Sequence, residues 1–128
     1  NNPCLFCNIK ESGLADENTL AYASYDTYPA SEFHCLIIPK RHVKDYFELT
    51  NDEVIACNEI IKKMKTEILL KDLSVKGFNI GTNAGKVAGQ SVLHCHIHLI
   101  PRRKGDVENP QGGVRSVIPL NQHYKRKV

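Results

Sequence analysis

One segment of the sequence has a clear helical pattern, and it limits the folds that the chain can adopt. In "TNDE", Thr50 stands as a helix N-cap, and Glu53 three residues later completes a capping box. Behind the cap, apolar side chains alternate at spacings of three and four residues: Val54, Cys57, Ile61, Met64 and Ile68. This spacing predicts one long helix with a strong apolar stripe. A second apolar edge, at Ile55 and Ile60, makes the stripe wider than one small sheet requires.

Most of the remaining chain is typical of strands. A loop that carries the cysteines of "CLFC" comes first, and apolar segments follow at "TLAYAS", "FHCLIIP", "GFNIGTN" and "VLHCHIHLIP". Pro39 ends the second of these strands. The segment "VRSVIP" is expected to be an extended C-terminal piece. One helix beside mostly antiparallel strands predicts an α+β fold, and 128 residues suit one domain with a modest core.

Composition narrows the class of protein. The net charge of +3 is mild, and much of the excess lies in the terminal "HYKRKV", so we expect no nucleic-acid partner. No apolar run is long enough to span a membrane, and no signal-peptide pattern opens the sequence, so we expect no membrane partner. Five cysteines, three of them inside apolar runs, favour a reducing compartment over a disulfide framework. We therefore expect a cytoplasmic protein.

Three histidines at every second residue, His94, His96 and His98, are the strongest functional signal. On a strand they would share one face, while Cys95, Ile97 and Leu99 would face the core. A solvated polar face is the simplest alternative, and three strictly alternating histidines argue against it. A single zinc site is also disfavoured, because His94 and His98 would lie roughly 13 Å apart along a strand.

Nucleophilic chemistry fits this arrangement better. A neutral imidazole near pH 7 can attack phosphorus and split one difficult displacement into two easier ones. His96 is the middle ring and has an imidazole on each side that can contact phosphate oxygens. One nitrogen of His96 must then donate to a fixed acceptor, and we expect a nearby backbone carbonyl. Gln90 and Ser91 supply further donors for an anion.

These motifs resemble the histidine triad (HIT) family of nucleotide hydrolases and transferases. The resemblance rests on "HCHIHLI" with its upstream "AGQS", and "IPKRH" and "CLFC" support it. It implies an α+β fold with a mostly antiparallel sheet, one long helix and a short one. It also implies a homodimer formed through the helix and the central strand, which would explain the wide apolar stripe. We expect one HIT domain over 1–128, with a zinc-knuckle loop at 1–10 and a C-terminal extension at 104–128.

The resemblance also assigns roles to single residues. His96 matches the nucleophile, His98 the contact to the scissile phosphate, and His34 the separate histidine that supports the site. The nucleotide-binding residues that it implies, for a purine nucleotide, are Asp26, Thr27, Asn83, Gln90, Ser91, His96 and His98. Asp26 would accept from the ribose hydroxyls. Asp26 and Asn83 are alternatively turn residues, and His34 is alternatively a histidine that satisfies a core hydrogen bond. Phe33 departs from the small residue that the family usually has there.

A second site is predicted for zinc. Cys4 and Cys7 have the spacing of two thiolates that bind one ion, although free thiols or a redox pair would also fit. His42 and His94 are the histidines that remain once the nucleotide site takes its three and His123 is left in the basic tail. Members of the family that carry "CxxC" bind zinc through matching positions, so the predicted ligands are Cys4, Cys7, His42 and His94. No carboxylate cluster suited to magnesium accompanies the triad, so nucleotide binding should not need magnesium.

Two functions remain open at this point. The favoured one is an enzyme that cleaves at the α-phosphorus of a nucleoside phosphoramidate or dinucleoside polyphosphate through a nucleotidyl-histidine intermediate. The alternative is a zinc-stabilised nucleotide-binding or regulatory protein with only residual activity. Arg102, Arg103 and Arg115 are candidates for contacts to the further phosphates of a polyphosphate.

Overall fold

A five-stranded antiparallel sheet with one long helix across one face forms the body of the molecule. The computed structural model describes residues 3–8 and 13–127. The strands are β1 (Leu14–Glu17), β2 (Ala21–Tyr25), β3 (Cys35–Pro39), β4 (Val75–Thr82) and β5 (Ile97–Arg103), and the helix is α1 (Asn51–Lys71). The order in the sheet is β1-β2-β3-β5-β4, and every neighbouring pair is antiparallel. The predicted α+β class with a mostly antiparallel sheet is confirmed.

The predicted start of the helix is confirmed in its detail. Thr50 Oγ1 accepts the Glu53 N–H at 3.1 Å, and the Glu53 carboxylate accepts the Thr50 N–H at 2.9 Å. The stripe itself differs slightly from the prediction. Ile60 is fully buried with Cys57, Met64 and Ile68, whereas Val54 and Ile61 are only half-buried. Of the predicted second apolar edge, Ile55 remains 56% exposed, whereas Ile60 belongs to the core.

The sheet has an apolar core on each face. Small and branched side chains of β2, β3 and β5 pack against α1: Ala21, Ala23, Cys35, Ile37, Ile97 and Leu99. On the other face, Tyr22, Leu36 and Ile38 pack with Phe6, which belongs to a 3-10 turn at Leu5–Cys7. The Tyr22 hydroxyl donates to the Phe6 carbonyl oxygen at 2.6 Å. The cysteine-bearing loop is thereby attached to the sheet face opposite the helix.

The predicted strand over 92–101 is wrong in its first half, because β5 begins only at Ile97. Two carbonyl oxygens that a strand would pair with its neighbour instead accept hydrogen bonds from side chains. The His94 oxygen accepts from His96 Nδ1 at 2.9 Å, and the His96 oxygen accepts from Thr82 Oγ1 at 2.7 Å. The Cys95 N–H donates to the Val43 oxygen at 2.8 Å instead of to a strand. Cys95, Ile97 and Leu99 are buried as predicted, but His94 and His96 are buried as well.

The ends of the chain also differ from the predictions. Strand β1 lies in a segment without clear alternation and was not predicted. The segment "VRSVIP" is not extended but forms two 3-10 turns, Gly113–Val117 and Pro119–Asn121. Gly112 precedes the first turn with φ of 76°, a conformation that favours glycine, and Pro119 begins the second. Within the described residues, no helix is long and apolar enough to cross a membrane.

An ion pair joins the start of α1 to the loop after β3. Glu53 is only 3% exposed, and its two oxygens accept from Arg41 Nε at 3.0 Å and Nη2 at 2.8 Å. These bonds, with burial opposing them, hold the pKa of the Glu53 carboxyl below its ordinary value. Because the folded-state pKa is lowered, this stabilisation is present above the ordinary glutamate pKa and is lost as the pH falls through the folded-state value.

Glu53→Gln should lower the free energy of unfolding by about 1–3 kcal/mol at pH 7, because it removes the charge but leaves the Arg41 and Thr50 donors. The difference from wild type should shrink at about pH 3, because the stabilisation by the wild-type carboxylate is lost progressively below the ordinary glutamate pKa of about 4.3. Urea unfolding at both pH values measures this. Asp52→Asn, at the exposed neighbouring position, is the control and should cost less than about 1 kcal/mol. Equal losses in both variants would contradict the role of the ion pair.

Candidate active site

The predicted site lies where β5, the residue before β3 and the loop before β5 meet. His98 lies on β5, directly opposite Leu36 of β3, on the sheet face away from α1. His34 comes just before β3, and its ring centroid lies 5.1 Å from that of His98. The His98 ring in turn lies 5.3 Å from that of His96, nearly edge-on. The structure therefore brings the three predicted catalytic histidines together.

Hydrogen bonds assign the tautomers of His34 and His98. The Ala30 N–H donates to His34 Nδ1 at 2.9 Å, so the proton of a neutral His34 ring is on Nε2. That Nε2 lies 2.9 Å from His98 Nδ1, which must then accept. The proton of His98 is consequently on Nε2. The backbone of the turn before β3 thus makes His98 a donor at its outer nitrogen.

Burial keeps these two rings neutral. Burial, helped by the neighbouring His96 and His34, lowers the pKa of His98 to about 4. Burial also lowers the pKa of His34, although the Asp26 carboxylate opposes this, with Oδ2 3.6 Å from His34 Nε2. At neutral pH both rings therefore carry one proton each, as the hydrogen-bond assignment requires.

The His96 ring is held by a hydrogen bond and by one aromatic neighbour. Its Nδ1 lies 2.9 Å from the His94 carbonyl oxygen, so Nδ1–H donates and the lone pair of the neutral ring is on Nε2. This carbonyl is the backbone acceptor that the sequence led us to expect. The ring is 93% buried, and Phe6 packs edge-on against it at a centroid distance of 4.9 Å. Phe6 and the hydrogen bond together restrict its rotation.

The four predicted zinc ligands form a second cluster. Cys4 Sγ lies 3.3 Å from His94 Nδ1, Cys7 Sγ 3.5 Å from the same nitrogen, and Cys7 Sγ 3.3 Å from His42 Nδ1. All four ligand atoms lie within 4.8 Å of one another. Bonds of about 2.3 Å to sulfur and 2.0 Å to nitrogen would place such atoms about 3.5 Å apart in a tetrahedral site. The residues therefore fit one zinc ion.

The fully buried His94 ring is prepared for such an ion. Its Nε2 lies 2.8 Å from the Pro39 carbonyl oxygen and donates to it, which leaves the Nδ1 lone pair toward the two sulfurs. The other three thiols differ, because burial raises the pKa of Cys35 and Cys95 to about 12 and that of Cys57 to about 11. These thiols stay protonated within the core.

The predicted nucleotide-binding residues occupy several environments. Asn83 is half-buried and lines a cavity of about 750 Å³ together with His34 and His98. Asp26 is half-buried in its turn, where Oδ1 accepts the Tyr28 N–H at 2.8 Å. Thr27 and Ser91 are exposed on loops.

Gln90, the remaining nucleotide-binding prediction, has its side chain engaged with the backbone. It is 6% exposed, its Oε1 accepts the Gly85 N–H at 2.9 Å, and its Nε2 donates to the Lys44 and Val92 oxygens at 2.6 and 3.1 Å. This amide braces the loop between β4 and β5 against the loop after β3. Its contact to phosphate stays a prediction.

Phe33 turns away from His34. Its φ of 70° is unusual for a residue with a side chain and directs the ring to the helix-side core. There it lies 5.9 Å from the Tyr25 ring, with Lys71 Nζ 5.8 Å from its centroid. The larger residue therefore fills space under the sheet rather than beside His34.

The three arginines considered for polyphosphate contacts already have protein partners. Arg102 is held by Asp106 and Asn79, and Arg103 by Asp72 and the Glu32 carbonyl. Arg115 donates to backbone oxygens at 121 and 122 and lies over the Tyr124 ring. These hydrogen bonds occupy guanidinium N–H groups that would otherwise be available to donate to a phosphate.

Two contributors to the site were not predicted. Phe6 lies between the two knuckle cysteines and touches the ring of His96, and Thr82 at the end of β4 holds the His96 carbonyl. An aromatic residue between two metal-ligand positions was the available signal for Phe6. Thr82 has no local signal, because its contact depends on the pairing of β4 with β5.

The chain is similar to known proteins in sequence and in fold. The HIT domain family model matches residues 10–105. An uncharacterized HIT-like protein of Methanocaldococcus jannaschii is 38% identical over 128 residues, which cover 95% of this chain and 96% of that protein. An adenosine 5′-monophosphoramidase of Saccharomyces cerevisiae is 35% identical over 104 residues, covering 78% of this chain and 63% of the yeast protein.

A solved structure is similar in both fold and sequence. The crystal structure of a Zn-bound histidine triad family protein from Mycobacterium smegmatis has a TM-score of 0.73 and 30% identity, and the match covers 81% of this chain and 78% of that one. The family model spans the sheet, the helix and the three catalytic histidine candidates. The chain belongs to the HIT domain family.

Proposed function

We propose that this protein is a hydrolase or nucleotidyl transferase that cleaves at the α-phosphorus of a purine nucleotide conjugate. The bond broken would be the P–N bond of a nucleoside phosphoramidate or the P–O bond of a dinucleoside polyphosphate. The hydrogen bond from His96 Nδ1 to the His94 carbonyl carries this proposal, because it leaves Nε2 as the attacking atom. The similarity to a yeast adenosine 5′-monophosphoramidase supports the same chemistry.

The reaction would proceed in two displacements. His96 Nε2 attacks the α-phosphorus, the bond to the leaving group breaks, and the nucleotidyl group remains on His96 as a phosphoramidate. The leaving atom takes one proton, and the proposed donor is the Nε2–H of His98. Water or another acceptor then attacks phosphorus, breaks the P–N bond to His96 and supplies the replacement proton.

The nucleotide would lie between the turn before β3 and the loop before β5. Asp26 and Thr27 are proposed to hold the ribose and base, and Asn83, Ser91 and the loop braced by Gln90 to hold the phosphate side. The proposed catalytic residues His34, His96 and His98 offer imidazole groups to the phosphate, and we expect hydrogen bonds from the protein, rather than a magnesium ion, to stabilise the charge on its oxygens. Turnover and the binding of AMP should therefore persist when a magnesium chelator is present in excess.

His96→Gly should reduce turnover of adenosine phosphoramidate by about a thousandfold or more, because the nucleophile is lost. Affinity for AMP, measured by calorimetry, should stay within about tenfold of wild type, since most proposed contacts lie elsewhere. His123→Gly, on the exposed tail, should behave as wild type. Intact mass spectrometry after a rapid acid-free quench should find wild-type protein heavier by one nucleotidyl group.

The alternative function predicts a different result in the same assays. A protein that binds AMP but turns over no faster than its His96→Gly variant would be a nucleotide-binding protein with residual activity, and the enzymatic proposal would be wrong.

We also propose a structural zinc ion on Cys4, Cys7, His42 and His94. Zinc would supply a rigid cross-link among the N-terminal turn, the loop after β3 and the first histidine of the triad. A reducing cytoplasm would keep both cysteines available as thiolates. The similar histidine triad family protein from Mycobacterium smegmatis is Zn-bound in its crystal structure, which supports this proposal.

Purified protein should contain about one zinc per chain by elemental analysis. His42→Asn and Cys4→Ser should each reduce the zinc content by at least tenfold and lower the melting temperature by several degrees, because the cross-link is lost. His123→Asn should keep its zinc. Zinc retained in both ligand variants would show that the ion lies elsewhere.

A homodimer is proposed through the helix and the sheet edge beside it. The central strand β3 and its neighbour β5 are paired along both edges, so β4 is the edge strand available beside Ile55 of α1. A groove of about 310 Å³ runs between them and is lined by Ile55, Ile61 and Ile80 among others. Two copies that pair along β4 would cover these apolar side chains. The complete 1–128 HIT domain, with its knuckle loop and extension, is proposed as the unit that pairs.

Ile55→Glu should shift the protein from dimer to monomer, because it places a charge in the groove. Light scattering after size-exclusion chromatography measures the mass of the particle. Leu70→Glu, on the same helix and 79% exposed but outside the groove, should remain dimeric. A dimer that persists in Ile55→Glu would exclude this interface.

A further inference from the structure

The proposed nucleophile lies immediately before the start of a strand. β5 begins at Ile97, and the sheet pairs Ile97 with Thr82 of β4 and with Ile37 of β3. Among the described residues, the registers of these two ladders contain no pair that includes His96. The backbone of His96 therefore has to be held by contacts other than the register of the strands.

Two hydrogen bonds to the backbone hold this short segment. The Cys95 N–H donates to the Val43 oxygen at 2.8 Å, and the His96 carbonyl oxygen accepts from Thr82 Oγ1 at 2.7 Å. The second distance is the usual one for a hydroxyl that donates to an oxygen. Val43 acts on the residue before His96, whereas Thr82 acts on the carbonyl of His96 itself.

The sheet holds Thr82 in turn. Thr82 is the last residue of β4, is half-buried and lies opposite Ile97 in the register. A β-branched side chain is restricted in χ1, so the hydroxyl of a threonine in a strand points in one of few directions. The His96 carbonyl therefore has a donor that comes from a strand rather than from a loop.

The position of this carbonyl affects the direction of the His96 ring. The ring is restricted by its Nδ1 bond to the His94 oxygen at 2.9 Å and by its contact with Phe6. Both contacts depend on the direction of the Cα–Cβ bond of His96, and the Thr82 bond holds the carbonyl attached to that Cα. A reacting atom that is misplaced by about 1 Å can slow a reaction by about a hundredfold. The Thr82 hydroxyl is thus placed to control where His96 Nε2 points.

The Thr82 hydroxyl does not donate a proton to substrate in this arrangement. A hydroxyl has one hydrogen, and the His96 carbonyl accepts it. Thr82 also contributes to the lining of the cavity beside His98, so a direct contact with the nucleotide is the alternative to test. Such a contact would change the affinity for the nucleotide, whereas control of the His96 ring would change the rate of the chemical step.

We propose that Thr82 is a positioning residue that acts through His96. Its hydroxyl holds the His96 carbonyl and thereby directs Nε2 of the ring at phosphorus. The inference rests on the proposed function and adds a residue to it. Thr82 acts in the first displacement, in which the Nε2–P bond forms and the bond to the leaving group breaks, and its hydroxyl neither gains nor loses a proton.

The test measures the first displacement directly. Adenosine phosphoramidate is mixed with a saturating excess of protein, and intact mass spectrometry after a rapid acid-free quench follows the formation of nucleotidyl-His96. Thr82→Val keeps the branched shape but loses the hydroxyl, and it should slow this step by about tenfold to a hundredfold. Its affinity for AMP, measured by calorimetry, should stay within about threefold of wild type. Thr82→Ser keeps the hydroxyl and should react within about threefold of wild type.

Thr66→Val is the matched control. Thr66 Oγ1 also donates to a backbone oxygen, that of Lys62 at 3.2 Å, but it does so on the exposed side of α1. The same change of side chain at this position should leave the rate within about twofold of wild type. Thr82→Ala repeats the test if Thr82→Val has altered circular dichroism or melting.

Three results would overturn the positioning role. The first is a rate of nucleotidyl-His96 formation in Thr82→Val that equals the wild-type rate. The second is a rate in Thr82→Ser that is as low as the rate in Thr82→Val. The third is a loss of AMP affinity in Thr82→Val without a change in rate, because this would indicate a direct contact with the nucleotide.

A measurement without substrate keeps the positioning role separate from the enzymatic proposal. If wild type forms no nucleotidyl-His96, the proposed function fails, and the role of Thr82 is tested by nitrogen-15 NMR of the histidine rings. The His96 signals, assigned by their loss in His96→Gly, should shift or broaden in Thr82→Val but not in Thr82→Ser or Thr66→Val. His96 signals in Thr82→Val that match wild type would overturn the positioning role as well.

Discussion

The buried ring of His94 connects the parts of the site that have to act together. Its Nε2–H bonds to the end of β3 at Pro39, and its Nδ1 faces Cys4 and Cys7. Its own carbonyl accepts the Nδ1–H of His96 and so leaves the lone pair of a neutral His96 ring on Nε2, the atom proposed to attack phosphorus. A shift of His94 would therefore disturb its contacts with Cys4 and Cys7, with the end of β3 and with the ring of His96. The proposed zinc ion would therefore stabilise the orientation of His96 without touching substrate.

Burial would be costly for a cluster of charged imidazoles, and the structure avoids that cost by keeping them neutral. His34, His94 and His98 all have pKa values below the ordinary value, mainly because of burial. A neutral ring has one donor and one acceptor, and the backbone at Ala30, Pro39 and His94 determines which nitrogen is which. The same burial that lowers the pKa also preserves the tautomers that the proposed chemistry uses.

Local patterns explain which features the sequence predicted correctly. The Thr50–Glu53 capping box depends on residues three apart, and the apolar stripe of α1 on one period, so both follow from short segments. The start of β5 depends on Thr82 and Val43, which are distant in the sequence, and so the strand was predicted too long. The branched residues of "VRSVIP" favour a strand, but Gly112 and Pro119 and the partners of Arg115 impose tight turns. The sequence shows which residue types are available at the site. It does not show that the side chains of Gln90 and Arg102 are already hydrogen-bonded to other groups of the protein.

The proposed catalytic histidines and the far wall of the cavity beside His98 come from different parts of the chain. The groups assigned to phosphorus chemistry, His34, His96 and His98, lie within the region matched by the HIT domain, on or beside the sheet. The wall of that cavity that comes from residues 106–117 and Gln122 lies beyond that region, in a segment held by its own hydrogen bonds. Because His98 lines the cavity while its Nδ1 bonds to His34, it joins both sides. The extension can therefore vary the shape of this cavity without altering the hydrogen bonds that orient the rings of His34, His96 and His98.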